Sequence, residues 1–283
     1  MSGPQQTAPV VAVSRRGRHG FRYVLRVLGV TSVAEYKLKY AGSALGYFWS
    51  VAKPLALFTM LYFVFGRVFK LNALSPYYPT SLLGGIVLFT FFSDATSLAM
   101  YSLVARQTLL RKLIFPRSVI PTAAVLTAGI TFLVNVGAVA VFVAAKGIVP
   151  RATWLLLLPL LVELFVFVLG VSLFLSALFV RLRDVGQVWD LLLQLFFYAT
   201  PIIYPVGYLP GWARKIAFLS PFTQVLQEFR ATVLYPDVPG NRITAAQALG
   251  SVWQFAPVAI AGLTLLIGLF YFRRQEPWFA ERV

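Results

Sequence analysis

The chain has 283 residues, of which 59% are hydrophobic and 12% charged, and its mean hydropathy is +0.78. This composition argues against ordinary soluble domains and is typical of a protein built from membrane-spanning helices, each of which needs about 20 mostly apolar residues. The formal net charge of +16 would suggest a nucleic-acid partner. We expect none, because the basic residues lie mainly between apolar runs, where membrane topology and anionic headgroups explain them.

The N-terminal part of the chain precedes the first long apolar run. Residues 1–20 are polar and basic, and we predict a disordered cytoplasmic arm. The next segment, FRYVLRVLGVTSVAEYKLKY (21–40), mixes apolar with basic residues, and Glu35 stands four residues before Lys39, a spacing that favours an ion pair along a helix. This pattern predicts an amphipathic interfacial helix, followed by a loop that completes the segment 21–46.

Six apolar runs follow and predict an all-α integral membrane protein with its transmembrane domain at 47–272. We place the spans at about 47–69, 81–104, 121–145, 154–180, 187–206 and 249–272, and a cytoplasmic tail at 273–283. Between the last two spans, two apolar pieces around 212–219 and 223–235 are too short to cross and are punctuated by prolines. They predict short re-entrant helices covered by neighbouring protein.

The basic residues predict the orientation of these spans. The segments on one side of the predicted membrane carry 17 Lys and Arg residues, and those on the other side carry 8. The positive-inside rule places the richer side in the cytoplasm, and an even number of spans then leaves both termini there.

A polar stripe marks the second predicted span. Thr90, Asp94, Ser97 and Tyr101 follow one another at intervals of four, three and four residues, which places them on one helical face. A carboxylate at membrane depth faces protein or water rather than lipid. The stripe is therefore either the wall of a hydrated path or a helix-packing face.

Two aromatic stripes also have a helical spacing. In the first span Phe58, Tyr62, Phe65 and Phe69 follow at intervals of four, three and four residues, and in the fifth Trp189, Phe196 or Phe197, and Tyr204 are roughly seven apart. Aromatic faces stack on sugar rings, and Tyr hydroxyls bond to sugar hydroxyls, so these stripes suit a path for a polysaccharide. Ordinary packing and interfacial aromatic belts are the alternative interpretation.

The stretch ARQTLLRKLIFPRSVIP (105–121) separates the second and third spans. Its basic residues surround apolar ones, which predicts a short amphipathic helix on the cytoplasmic surface, ended by Pro116. Such a helix is either a membrane anchor or a docking surface for a soluble partner.

Enzymatic interpretations lack candidate residues. The single histidine, His19, lies in the basic arm, the acidic residues are scattered, and the chain has no cysteine. No G-x-x-x-x-G-K-[ST] motif occurs, so a P-loop is excluded. We therefore predict no catalytic residue and no metal site, and any energy for work comes from another subunit.

Several stretches together resemble a known family: YAGSALGYFWSVAKPLALFTMLYFVFGRVF (40–69), LLRKLIFPRSVIP (109–121), FVRLRDVGQVWDLLLQLFFYATPIIYP (179–205) and LSPFTQVLQEFR (219–230). In order and spacing they are similar to the transmembrane subunit of type-2 ABC exporters, in the branch that moves O-antigen, teichoic acid, capsule and related polysaccharides. The resemblance covers most of the chain from about residue 20 onwards.

The resemblance implies a multi-pass protein of the bacterial inner membrane that forms a homodimer and works with two copies of a separate nucleotide-binding subunit. ATP and Mg would bind to that partner, and this chain would hold no cofactor. The substrate would be a lipid-linked glycan.

The resemblance also assigns roles to residues. The first, second and fifth spans would line the path, which makes the polar and aromatic stripes candidates for it. The coupling or gate helix against the ATPase would include Arg106, Arg111, Lys112, Phe115 and Pro116. The entry site for the lipid pyrophosphate would include Lys37, Lys39, Leu45 and Gly46.

Two rival functions stay open at this point. A type-2 exporter of a drug or lipid would share the architecture, although the aromatic stripes and the ALGYFW segment (44–49) argue against it. A membrane scaffold without transport activity would need no ATPase, so co-purification with a nucleotide-binding subunit distinguishes it.

Overall fold

The structure is a computed structural model that describes residues 21–40, 46, 48–73, 75–107, 116–235 and 243–279, with the side chains of 28–37 in the first helix. These residues form helices joined by turns, and no strand occurs among them. The prediction of an all-helical protein is confirmed for this part of the chain.

Ten α-helices lie in the described residues, several of them extended by short π or 3-10 segments. Their bounds are α1 Phe21–Tyr40, α2 Phe48–Leu61 with a π segment Tyr62–Val68, α3 Tyr78–Ala105, α4 Val119–Ala145, α5 Leu157–Arg181 after a 3-10 turn Ala152–Leu156, α6 Val185–Ala199, α7 Gly211–Leu219, α8 Pro221–Phe229 with a π segment Arg230–Leu234, α9 Ala245–Leu249, and α10 Ala256–Gln275 between 3-10 turns Trp253–Phe255 and Glu276–Trp278. Two further 3-10 turns are Leu71–Ala73 and Val206–Tyr208.

Five helical segments are long and apolar enough to cross a membrane. They are Phe48–Val68, Tyr78–Ala105, Val119–Ala145, Ala152–Arg181 and Trp253–Trp278. Each overlaps one of the predicted spans. The segment 21–40 is the helix α1, and its amphipathic character and its position at a membrane surface stay predictions.

The segment predicted as the fifth span forms a shorter helix than expected. α6 has 15 residues and ends at Ala199, which gives a length of about 22 Å, less than the roughly 30 Å of a bilayer core. Thr200 is extended, with φ −80° and ψ 138°, as favoured for a residue before proline, and Pro201 cannot continue the helix. A complete span at 187–206 is therefore not a single helix, and the count of six spans stays a prediction.

Helix α3 lies at the centre of the molecule. In an apolar stretch of 18 residues within α3, 67% of the residues are buried, compared with 17–33% in the corresponding stretches of the other four spanning segments. It packs along α4 and α5, and also contacts α2, α6 and α8. The remaining spanning helices expose large apolar side chains, such as Leu133, Val162 and Phe270, which suits contact with lipid.

Helices α5 and α10 cross with their backbones in close approach. A Cβ atom built on Gly170 would lie 2.6 Å from the backbone N of Leu265, and one on Gly268 would overlap the carbonyl of Gly170. Small residues at a crossing let two membrane helices pack backbone to backbone. The two glycines therefore fix where α10 crosses α5.

The two short apolar pieces after α6 are helical. α7 follows Pro210, and α8 starts at Pro221, which suits the first turn of a helix because proline needs no donor there. All residues from 221 to 227 are buried. The helices agree with the predicted pieces, and their re-entry into a membrane stays a prediction.

Candidate functional site

A groove of about 930 Å³ lies between α1, α2, α3 and α4. The structure places all four residues of the polar stripe in it: Thr90, Asp94, Ser97 and Tyr101. The first three are partly buried, and Tyr101 is exposed. α3 thus turns its polar side toward a cavity, and the role of that cavity as a substrate path stays a prediction.

Charged side chains occur along the same groove. Lys53 of α2 lines it, and Arg106 at the end of α3 forms an ion pair with Glu35 of α1. The Oγ1 atom of Thr127 in α4 donates a hydrogen bond to Oε2 of Glu35, at 3.3 Å. The sequence pairs Glu35 with Lys39, whose side chain lies outside the described residues. The partner seen in the structure is Arg106, so this contact joins three helices.

Polar contacts to α4 also hold the groove walls in place. Oγ of Ser32 in α1 donates to the carbonyl of Ala123, at 3.2 Å, and Nδ2 of Asn135 donates to the carbonyl of Ser50 at the start of α2, at 3.1 Å. Hydrogen bonds between membrane helices hold them in one register, because the alternative leaves polar groups without partners. α4 therefore holds α1 and α2 in position through these hydrogen bonds.

The first aromatic stripe lies apart from the groove. Phe58 is buried, stacks on Tyr62 with ring centroids 5.7 Å apart, and meets Phe142 edge-on at 5.3 Å. Phe65 stacks on Phe69 at 5.5 Å, and Phe69 is exposed. Phe58, Tyr62 and Phe65 therefore pack within the subunit, and only Phe69 of the four is exposed. A role in sugar stacking stays a prediction.

The second aromatic stripe joins a set of rings between α3, α5, α6 and α8, which we call the aromatic cluster. It consists of Phe89, Phe92, Phe167, Trp189, Phe196, Phe197 and Phe222, with neighbouring ring centroids 4.9 to 6.3 Å apart. Nε1 of Trp189 donates to Oγ1 of Thr96, at 3.2 Å. Tyr204 lies beyond α6 and donates to the carbonyl of Ala199, at 3.0 Å. Within one subunit these side chains pack on one another, and their role along a substrate path stays a prediction.

Sequence reasoning missed a polar face on α6. Gln187, Asp190, Gln194 and Tyr198 are all exposed, and their intervals of three, four and four residues place them on one side of the helix. The aromatic cluster takes another side, and exposed leucines such as Leu191 and Leu195 a third. The spacing of these polar residues can be seen in the sequence, but we interpreted this helix only through its aromatic residues.

Comparison with known proteins identifies the family. A model of the ABC-2 type transporter family matches residues 27–234. The chain belongs to this family. As an ABC-2 family member it is the permease subunit of an ABC transporter, whose ATPase is a separate subunit.

Three relatives show the branch of ABC-2 transporters that this chain is similar to. The O-antigen export system permease protein RfbA of Klebsiella pneumoniae is 30% identical over 270 residues, which is 95% of this chain and 99% of the relative. A protein of the same name from Myxococcus xanthus is 28% identical, covering 88% and 92%. The polysialic acid transport protein KpsM of Escherichia coli is 22% identical, covering 92% and 97%.

The predicted entry site of this ABC-2 transporter is described in part. Lys37 is exposed on α1. Gly46 has φ +46°, a left-handed conformation that favours glycine, and its carbonyl accepts a hydrogen bond from the N–H of Trp49 as α2 begins. The side chain of Lys39 and the whole of Leu45 lie outside the described residues.

The predicted coupling helix is described only at its ends. Arg106 directly follows α3, and the exposed Pro116 precedes α4. Arg111, Lys112 and Phe115 lie outside the described residues. Among the described residues, no group of three His, Cys, Asp or Glu side chains is arranged to hold a metal ion.

Proposed function

We propose that this chain is the transmembrane subunit of an ATP-driven exporter that moves a lipid-linked polysaccharide from the cytoplasmic to the outer side of the bacterial inner membrane. The observation that carries the proposal is the groove beside α3, where a polar stripe on the central helix lines a cavity of about 930 Å³. The names of the relatives, O-antigen export permeases and a polysialic acid transport protein, supply the class of substrate.

The chemistry of the groove suits a glycan better than an apolar drug or a lipid chain. Thr90, Ser97 and Tyr101 present hydroxyl groups, and Asp94 adds a carboxylate, a set that exchanges hydrogen bonds with sugar hydroxyls. An apolar substrate would cover these groups without satisfying them, which costs free energy. The groove also has the volume of a site for a drug-sized ligand, so it accommodates part of a chain rather than a whole polymer.

The polar face of α6 supports assembly as a homodimer. Asp190 and its neighbours Gln187 and Gln194 are exposed in one subunit, and a carboxylate beside a bilayer faces protein or water. A second copy placed opposite this face would close a hydrated path between two α6 helices. In this arrangement α6 and the turn after it cross the membrane as the fifth of six spans. α7 and α8 re-enter the outer leaflet, and both termini are cytoplasmic.

The energy would come from two ABC ATPase subunits, which bind ATP and Mg. Segment 106–116 is the proposed docking site for them, and the ion pair between Arg106 and Glu35 ties the start of this segment to α1. Because Glu35 and Arg106 both line the groove, a movement of the docked segment would reach the groove wall directly. Lys37, Lys39, Leu45 and Gly46 would meet the lipid pyrophosphate before the glycan enters.

The test is complementation of a strain that lacks the gene for this chain. Loss of the gene removes surface polysaccharide and leaves lipid-linked polymer on the cytoplasmic side of the inner membrane, and the wild-type chain restores surface polymer. An ABC ATPase subunit co-purifies with the tagged chain. Normal surface polymer in the deletion strain would contradict polysaccharide export, and a chain that purifies without any ATPase would favour a membrane scaffold.

A further inference from the structure

A second, small cavity lies at the end of the bundle where α3 begins. It has a volume of about 100 Å³ and lies between the start of α3, the turn after α6 and the π segment that follows α8. Side chains with polar groups that line it are Ser75, Tyr78, Ser81, Tyr204, Gln227, Arg230 and Tyr235. It is separate from the groove, which none of these residues lines.

Arg230 places a buried positive charge at this cavity. Its side chain is only 6% exposed. Nη1 donates to the carbonyl of Pro201 at 2.7 Å, and Nη2 donates to the carbonyl of Ile202 at 2.8 Å. Both acceptors are neutral, and no carboxylate forms an ion pair with Arg230 among the residues that the structure describes. A buried cation normally has a negative partner, because removal from water is otherwise too costly.

Two buried donors on residues that line the cavity have no hydrogen-bond partner in the described part of the protein. They are Nε of Arg230 and Nε2 of Gln227, whose side chain is 4% exposed. Buried polar groups are nearly always paired, so each unpaired one requires an explanation. Both groups are donors, and one carries a positive charge, so the missing partner is an acceptor with negative charge rather than a cation.

The volume of the cavity limits the size of this partner. At roughly 30 Å³ for each water molecule, about 100 Å³ holds about three. A sugar ring or a lipid pyrophosphate is too large, whereas a monatomic anion with one or two water molecules fits. We propose that Arg230 and Gln227 bind a small inorganic anion, chloride under cellular conditions, as a structural ion of this fold.

The bound anion stabilises the turn at which α6 ends. Arg230 already holds the carbonyls of Pro201 and Ile202, and the hydroxyl of Tyr78 donates to the next carbonyl, that of Ile203, at 3.0 Å. Three consecutive carbonyls are therefore fixed by the side chains around the cavity. An anion that neutralises Arg230 keeps this clamp in place without competing for the carbonyls, and it locks α6 against α3 and α8.

The experiment measures thermal unfolding of the full chain, purified in detergent, in sodium chloride and in sodium gluconate at equal ionic strength. Gluconate is too large for the cavity, so it controls for screening by salt. We expect the unfolding midpoint to rise by a few degrees with chloride and to saturate, because an ion that binds only the folded state shifts its stability by mass action. Bromide should replace chloride, and anomalous scattering from bromide-soaked crystals should place it beside Arg230 and Gln227.

Matched variants decide whether the site is the one proposed. Gln227→Met keeps the length of the side chain and removes the donor, and it should abolish most of the chloride-dependent shift. Gln224→Met is the control, because Gln224 is equally buried on the same helix but lines a different cavity, and it should keep the full shift. Arg230→Gln should also lose the shift if it folds.

Three results would overturn the proposal. The first is an unfolding midpoint with no specific response to chloride, which would mean that the cavity holds only water. The second is an equal response in Gln227→Met and in the wild type, which would place the anion elsewhere. The third is a bromide position away from Arg230. None of these outcomes bears on polysaccharide export, which is measured in cells.

Discussion

The two sides of α3 differ in chemistry and in what they contact. One side carries Thr90, Asp94, Ser97 and Tyr101 and faces the groove, whereas the other carries Phe89 and Phe92 and faces the aromatic cluster. The helix therefore both holds the subunit together and forms the wall of a cavity. Because the two tasks use different residues, changes on one side should alter stability and changes on the other should alter transport.

The aromatic side stabilises the subunit by contact rather than by removal from water. In a membrane, lipid tails are as apolar as the protein interior, so helices associate through close packing and hydrogen bonds. Phe92 meets Phe167, Trp189, Phe196 and Phe222 at centroid distances of 5.3 to 6.0 Å. If the ring of Phe92 is removed, the cavity that remains is surrounded by rings from three other helices. These helices cannot all move to fill it.

The largest effect is expected from Phe92→Ala. Removal of a ring that is 3% exposed leaves a cavity in the aromatic cluster and should lower the free energy of unfolding by about 3 kcal/mol. The measurement is the unfolding midpoint in detergent, together with the amount of protein in the membrane. Phe270→Ala is the control, because Phe270 is 67% exposed on α10 and lipid takes its place. Equal losses in both variants would contradict the assignment of α3 to the core.

The crossing of α5 and α10 tests whether close packing without aromatic rings also stabilises the subunit. Gly170→Ala should cost about 1–3 kcal/mol, because the new methyl group would collide with the backbone of α10. Gly262→Ala is the matched control within α10, since no atom lies within 4 Å of the position that its new methyl group would take, and it should be neutral or slightly stabilising. If both variants unfold at the wild-type temperature, α5 and α10 do not cross as closely as described.

The sequence was sufficient for most helices but not for their partners. Runs of about 20 apolar residues specify spanning helices because no other structure satisfies the backbone in lipid, and five of the predicted spans were found on that basis. The end of α6 was also readable, since Pro201 stops a helix, but the run of apolar residues across it suggested continuity. The local sequence pattern thus predicts which segments form helices better than it predicts where each helix ends.

The candidate site shows the same limit at the level of side chains. The spacing of Thr90, Asp94, Ser97 and Tyr101 placed them on one face, and that face does line a cavity. The aromatic residues of α6 recur roughly every seven residues, which also places them on one face, yet Phe196 and Phe197 pack inside the subunit. Periodicity identifies residues that share a face, but it does not tell which face is covered, because that depends on helices distant in sequence.

Substitutions on the groove side of α3 should change the rate of transport rather than the stability of the protein. Asp94→Asn keeps the size of the side chain and removes its charge, so it should affect transport more than the unfolding midpoint or the amount of protein. Export should fall by on the order of tenfold, as expected for the loss of one charge-assisted hydrogen bond to the substrate. The measurement is the rate at which new polymer reaches the cell surface. Export at the wild-type rate would remove Asp94 from the path.

The smallest effect is expected at the end of the groove, where Glu35 pairs with Arg106. Both side chains are partly exposed, at 18% and 25%, so the pair should contribute only about 1 kcal/mol of coupling. A double-mutant cycle of Glu35→Gln and Arg106→Gln measures it, with Lys215→Gln as a distant exposed control that should be additive with Glu35→Gln.

The same cycle separates a structural pair from a coupling element. If the pair only holds α1 against α3, each single variant lowers the unfolding midpoint slightly and export follows the amount of protein. If it carries movement from the ATPase to the groove, each variant should lower export per molecule while ATP hydrolysis by the complex continues. Because Thr127 also binds Glu35 and Ser32 donates to the carbonyl of Ala123, α1 keeps these contacts to α4 when Arg106 is changed, so the fold survives the test and the second outcome can be observed.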